Sequence, residues 1–353
     1  MAPQMKLALP TMALGQGSVG HRMPDKLKAA RDADVAGIEV FYPCLQAFAE
    51  EFEGETEREK LRKAATETGR LAKELGLDMF VLQPLLNYDG IKDEQEHAKR
   101  IEDVKFRFEL CKLLDCGMMQ IPANFRLDDG VTGDEEKVVA DLRELADLGL
   151  QENPPIRFAY EAMCWSTYNY TWKHSWDIVR KVDRPNFGLV LDAFHICGYE
   201  FANPTFPSGT RIGGYTRLQL SLNDLVSSIP ASSIFYLQLA DAELLSPPLI
   251  PLGAPSPKKE EIGKTVSRFH VDGQQPRMSW SRNCRLYPYE EDRGGYMPVQ
   301  RAFKAFLETG VQDCYVSFEL FHRELLERDT ELPKRSAERA KRSWEKLKQE
   351  FSL

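Results

Sequence analysis

Short apolar, β-rich runs recur along the whole chain, and stretches with helical spacing lie between them. The runs are "KLALPTMAL" (6–14), "GIEVF" (37–41), "MFVLQP" (79–84), "MMQIPAN" (118–124), "RFAYEAM" (157–163), "FGLVLDAFH" (187–195), "IFYLQLAD" (234–241) and "CYVSFELF" (314–321). Several are apolar without alternation, the pattern of a strand buried on both faces. Between them, Leu61, Ala64, Ala65, Leu71, Ala72 and Leu75 share three-and-four spacing, with Gly76 where a C-terminal cap belongs. Ile101, Val104, Phe108, Cys111 and Leu114 repeat the device ahead of Gly117. A third helix opens on a capping box from Thr132 to Glu135, carries Val138, Leu142 and Leu145, and stops near Gly149.

Eight strands alternating with helices predict an α/β fold, a (β/α)8 barrel, built as a single domain over residues 1–353. A doubly wound sheet competes, because alternation alone does not show closure; the count of eight favours the barrel. One gap is long. Between the seventh and eighth strands an insertion over residues 247–298 is expected above the C-terminal face of the barrel. It begins with the Pro-rich, charged segment "PPLIPLGAPSPKKEEIGKTVSRFHVDGQQP" and continues into "RMSWSRNCRLYPYEEDRGGY". Loops of this length in compact domains are more often functional or disordered than neutral.

Composition narrows the classes of function. A formal net charge of -8 gives no electrostatic footprint for nucleic acid or an anionic membrane. The first residues lack the apolar core of a signal peptide, and no run approaches a membrane span. Seven scattered cysteines, none in a C-x-x-C pair, suit free thiols in a reducing compartment, so the expected location is cytoplasmic. "NYT" at Asn169 fits a glycosylation pattern but lacks the secretory context that would give it meaning. The C-terminal "KRSAERAKRSWEKLKQEF" could pack on its own barrel or on a second copy, which leaves a homo-oligomer open.

The chemistry gathers at the strand ends. Glu161, Asp192, Gln238 and Glu319 each close an apolar run, on the fifth to eighth strands in turn. In a barrel these ends converge on the C-terminal rim, where such folds place their active sites. Any one of them is as readily a satisfied polar residue at a strand terminus. Four on consecutive strands point to an all-oxygen site for a hard divalent ion, Mg²⁺ or Mn²⁺. His195 follows Asp192 by three residues and titrates near neutrality, as a general acid or base must. His21, after the first strand, could also reach the rim.

"RMSWSRNCR" adds Arg277, Arg282 and Asn283 as candidate substrate contacts, with Ser281 and Trp280 between them. Arginine binds carboxylates bidentately and Trp can shape a pocket wall; Arg285 by itself reads as an ordinary surface arginine. "GQGSVG" (15–20) matches G-x-G-x-x-G after a strand, with Glu39 at a suitable distance for a dinucleotide site. That motif needs its helix to open within the glycines, whereas Pro24 marks the first turn of the next helix. The glycines then form a rim loop and Glu39 becomes another rim carboxylate.

"RFAYEAMCWST", "WDIVRKVDRPNFGLVLDAFHI", "FYLQLADAELLS", "RMSWSRNCRLY", "LQPLLNYDG" and "MQIPANF" together resemble the fungal 3-dehydroshikimate dehydratases of quinate catabolism. That family sits among the xylose-isomerase-like barrels, and the resemblance runs from about Lys6 to Trp344. It implies a metal-dependent conversion of 3-dehydroshikimate to protocatechuate by loss of water. It also implies that Glu161, Asp192, Gln238 and Glu319 are the metal ligands, the residues already singled out at the strand ends. In this chemistry the C3 ketone acidifies the C4 proton and the C5 hydroxyl leaves. His195, with Glu161 and Glu319, is expected to carry catalysis, and Arg282 or Arg277 to take the substrate carboxylate. Two rivals remain: a sugar or keto-acid isomerase or epimerase on the same barrel, and a catalytically silent barrel that senses a shikimate-like ligand. A barrel endonuclease would call for a histidine-rich multi-zinc site and positive charge, which the sequence lacks.

Overall fold

A computed structural model describes residues 4–353. Eight parallel strands close on themselves: β1 (Lys6–Pro10), β2 (Gly37–Phe41), β3 (Asp78–Gln83), β4 (Met118–Pro122), β5 (Arg157–Glu161), β6 (Phe187–Asp192), β7 (Ile234–Gln238) and β8 (Tyr315–Ser317). Neighbours follow chain order around the ring, and β8 returns to β1. The barrel therefore replaces the doubly wound alternative.

Alternation along each strand decides what the barrel encloses. Ala159, Val190 and Tyr236 pack together inside it, and two residues further along the same strands stand Glu161, Asp192 and Gln238. Register puts these in one layer: Asp192 lies beside Gln238, and Gln238 beside Ser317. The remaining face of each strand packs outward on the helices, as Phe158, Leu189 and Leu237 do.

The helices follow the expected spacing, with different caps. Glu57–Leu75 ends on Gly76 in the left-handed region, φ 69°. Glu94–Leu114 ends instead on Asp115 at φ 54°, two residues before Gly117, because a short polar side chain tolerates that conformation. Glu135–Leu150 is capped by Asp134, which accepts the Lys137 N–H at 3.0 Å, so Thr132 is not the cap. Met23–Asp32 has Pro24 in its first turn, and 3-10 turns at Thr11–Leu14 and Gly17–Val19 precede it. The C-terminal helix Leu332–Phe351 packs on its own barrel, with Trp344 against Phe318 and Phe351 against Phe303.

Beyond β7 the chain forms a two-residue antiparallel ribbon, Asp241–Ala242 with Arg285–Leu286. Helix Pro276–Cys284 feeds directly into that ribbon. All seven cysteines are free and buried. No described helix is long and apolar enough to cross a membrane.

Candidate active site

Each β-strand from β5 to β7 ends by delivering a polar side chain into the barrel mouth, and Glu319 does so just past β8. All four are buried. Glu161 Oε2 accepts from Gln120 Nε2, while its Oε1 is buried without a partner. Asp192 caps the helix Ala193–Glu200, accepting the Phe194 N–H on Oδ1 at 2.8 Å, which leaves Oδ2 for the centre. Glu319 Oε1 accepts from Gln83 Nε2 at 3.1 Å. Gln238 Nε2 donates to both oxygens of Glu39 at 3.1 Å, and its Oε1 is left unpaired.

His195 occupies the first turn of that helix and is buried in the same centre. Its Nδ1 accepts the Cys164 N–H at 3.2 Å, and Arg285 Nη2 stands 3.1 Å from its Nε2, so a donor faces each ring nitrogen. Nε2 lies 3.4 Å from Glu161 Oε1 and 3.5 Å from Asp192 Oδ2. The Trp165 ring packs edge-on against the imidazole at 4.6 Å. His21 is engaged elsewhere, with Nε2 against the Glu327 carbonyl at 2.7 Å.

The largest departure from expectation is Arg285, which is 1% exposed rather than on the surface. Its Nη1 donates to Asp192 Oδ2 at 3.0 Å and to Glu319 Oε2 at 2.8 Å. Nε donates to Ser281 Oγ at 2.9 Å, and the guanidinium lies over the Phe194 ring at 4.1 Å. The ribbon pairing Arg285 with Ala242 turns this side chain inward. Arg282, one helical turn after Met278, is exposed and lines the cavity above the centre. Arg277 does not line it: its Nε and Nη2 donate to the carbonyls of Gly198 and Ala202 at 2.7 and 3.0 Å. Asn283 donates back along its own helix to the Ser279 carbonyl at 2.8 Å.

The cavity measures about 320 Å³ and is walled by Phe41, Phe125, Trp165 and Phe321, with Arg282 at its edge. Its polar floor is formed by Gln83, Gln120, Glu161, His195, Arg285 and Glu319. Burial dominates the electrostatics here. It pushes Glu161 well above the ordinary carboxylate range, helped by the nearby Glu319 and Asp192 charges. It pushes Glu319 up to about 8 even though Arg285 opposes it, and raises Asp192 and Glu39 in the same direction. Burial, then Arg285, drives His195 well below its usual value, which keeps the ring neutral.

A bound cation fits these residues. Of four buried carboxyl groups, Glu39, Glu161, Asp192 and Glu319, the buried Arg285 pairs with two, Asp192 and Glu319. Three buried oxygens here, Glu161 Oε1, Gln238 Oε1 and Gln120 Oε1, have no donor. Buried polar atoms are normally paired, so orphaned acceptors mark a place where a further positive group belongs. Glu161, Asp192 and His195 also offer ligand atoms within 4.8 Å of one another.

Comparison with known proteins agrees with the geometry. The model of the xylose isomerase-like TIM barrel family matches residues 27–349. A Neurospora crassa 3-dehydroshikimate dehydratase is 40% identical over 93% of this chain and 89% of its own length. A Pseudomonas aeruginosa 3-dehydroshikimate dehydratase is 27% identical over 65% of this chain, a match spanning 30% of that protein. Among solved structures, a xylose isomerase-like TIM barrel/4-hydroxyphenylpyruvate dioxygenase fusion protein superposes with a TM-score of 0.71 at 22% identity. It covers 99% of this chain and 43% of the fusion, and shows the fold alone. The chain belongs to the xylose isomerase-like TIM barrel family, and within it to the family of the Neurospora 3-dehydroshikimate dehydratase.

Proposed function

We propose that this chain is a metal-dependent dehydratase converting 3-dehydroshikimate to protocatechuate and water. The observation that carries the reading is the cavity floor, where buried carboxylates with orphaned oxygens meet an arginine and a neutral histidine. The 40% identity to the Neurospora dehydratase supports the choice of substrate.

Glu161, Asp192, Gln238 through Oε1, and Glu319 would hold the ion, and an all-oxygen set suits Mg²⁺ or Mn²⁺. When bound, such an ion supplies Lewis-acid stabilisation of the charge that develops on the C3 ketone oxygen, roughly several kcal/mol. The rest is work for the chain's own side chains. The C4 proton passes to the neutral His195 imidazole, which lies 3.4 Å from Glu161 Oε1. The same imidazole returns a proton to the departing C5 hydroxyl, which leaves as water, and tautomerisation completes the aromatic diol. Such acid–base help contributes about 10²- to 10⁴-fold.

Arg282, at the cavity edge, takes the substrate carboxylate, as its planar fork is suited to do. Arg285 serves the floor: it holds Asp192 and Glu319 in place through Nη1. Phe41, Phe125, Trp165 and Phe321 present an apolar wall to the ring and keep water from the reacting carbons.

The test is direct. Purified protein is given 3-dehydroshikimate or, separately, a neutral keto-sugar, and protocatechuate or epimer formation is followed. Ultraviolet absorbance of protocatechuate from the first substrate alone is expected. Epimerisation of the sugar without protocatechuate would replace this reading with the isomerase one, and tight binding without turnover would replace it with a sensor.

A further inference from the structure

Glu39 is a buried carboxylate with a dense set of partners and no place on the cavity surface. It sits on β2 and is fully buried. Both of its oxygens accept from Gln238 Nε2 at 3.1 Å. Oε2 also accepts from Tyr236 Oη at 3.0 Å and from Gln83 Nε2 at 3.3 Å. Each of these partners donates, so Glu39 acts as an acceptor toward all three.

The consequence lies on the opposite side of the Gln238 amide. An amide presents oxygen on one side and N–H on the other, and nothing in its shape chooses between the two orientations. With Glu39 occupying the nitrogen side, Oε1 is left buried and unpaired on the other, in the layer that Gln238 shares with Asp192. We propose that Glu39 is a positioning residue that fixes the Gln238 amide with its oxygen, rather than its nitrogen, toward the cation site. This inference rests on the proposed metal site.

A Glu39→Gln change keeps the shape and removes the instruction. The introduced amide meets the Gln238 N–H with a donor of its own, and the clash is relieved by turning Gln238 over. That places N–H groups toward the cation. Outer partners that orient metal ligands are typically worth 10–100-fold in affinity, so Mn²⁺ affinity should fall by about that factor.

The measurement is Mn²⁺ binding to chelated, dialysed protein without substrate, by calorimetry or by the free-ion electron paramagnetic resonance signal. Wild type, Glu39→Gln, Gln238→Ala and the double variant form a cycle, with circular dichroism confirming the fold of each. If Glu39 acts through Gln238, its substitution has no further effect of more than about twofold in the Gln238→Ala background. Equal affinity in wild type and folded Glu39→Gln, or full additivity in the double variant, overturns the inference. Should Glu39→Gln not fold, Glu39→Asp withdraws the carboxylate by one methylene; unchanged affinity there overturns it equally. A wild-type protein that binds no Mn²⁺ would instead sink the metal reading itself.

Discussion

The two halves of the barrel interior are built from the same strands and obey opposite rules. In the lower half Phe80 stacks on Tyr315 at 4.2 Å and meets Tyr236 edge-on at 5.3 Å, with Val81, Met118, Ala159 and Val190 around them. In the upper half, two residues further along, stand Glu161, Asp192 and Gln238 with two orphaned oxygens among them. The lower layer gains stability by removing aromatic area from water. The upper layer spends stability, because each buried carboxyl group loses hydration that one arginine does not restore. The lesson is a division of labour along a strand: the base of the barrel keeps it closed and its mouth holds charge in readiness for ligands.

Substitutions in the two layers should therefore fail in different ways. Phe80→Ala, in the lower layer, should cost about 3–5 kcal/mol of stability by denaturant unfolding, with turnover per folded molecule retained. Glu319→Gln, in the upper layer, should lower kcat by about 10²–10³-fold while leaving the melting temperature at or above wild type. The division is broken if Phe80→Ala abolishes turnover in folded protein, or if Glu319→Gln turns over normally.

The two arginines at the ends of one short segment sharpen the contrast. Arg282→Ala should raise KM for 3-dehydroshikimate by roughly tenfold, the scale of one charge-assisted contact, with kcat less affected. Arg277→Ala releases two backbone carbonyls instead, so thermal stability should move while KM does not. A reversed pattern in steady-state kinetics would reassign the carboxylate contact to Arg277.

A further effect concerns the ribbon that carries Arg285. Asp241 accepts the N–H groups of Ala242, Tyr296 and Met297, and burial raises its carboxyl from the ordinary 3.8 to about 7. The folded protein then binds a proton that the unfolded chain releases, so this contribution is full below about pH 4 and lost as pH rises through about 7. Denaturant midpoints across that window should fall with rising pH, and the slope should shrink in Asp241→Asn. A slope that persists unchanged in the variant assigns it to another group.

Much of this was legible in the sequence, and what was missed has a physical cause. Strands buried on both faces announce themselves as apolar runs, so all eight were visible. Glu161, Asp192, Gln238 and Glu319 stood out because a polar residue closing such a run is costly. Gln83 in "MFVLQP" and Gln120 in "MMQIPAN" carry the same signal and were passed over, since an amide at a strand end looks less expensive than a carboxylate. Arg285 left no local trace. Its inward orientation depends on pairing with Ala242, more than forty residues earlier in the chain, and periodicity cannot report a contact of that range. A faint clue was Ser281, four residues before it in the helix that leads into the ribbon and its partner through Oγ.

The central claim is that the charged upper layer turns over an acidic substrate only with a divalent ion in place. Protein stripped by chelation should give no protocatechuate from 3-dehydroshikimate, followed by ultraviolet absorbance, and should recover when Mg²⁺ or Mn²⁺ is returned. Product formed at an undiminished rate after thorough chelation would contradict it.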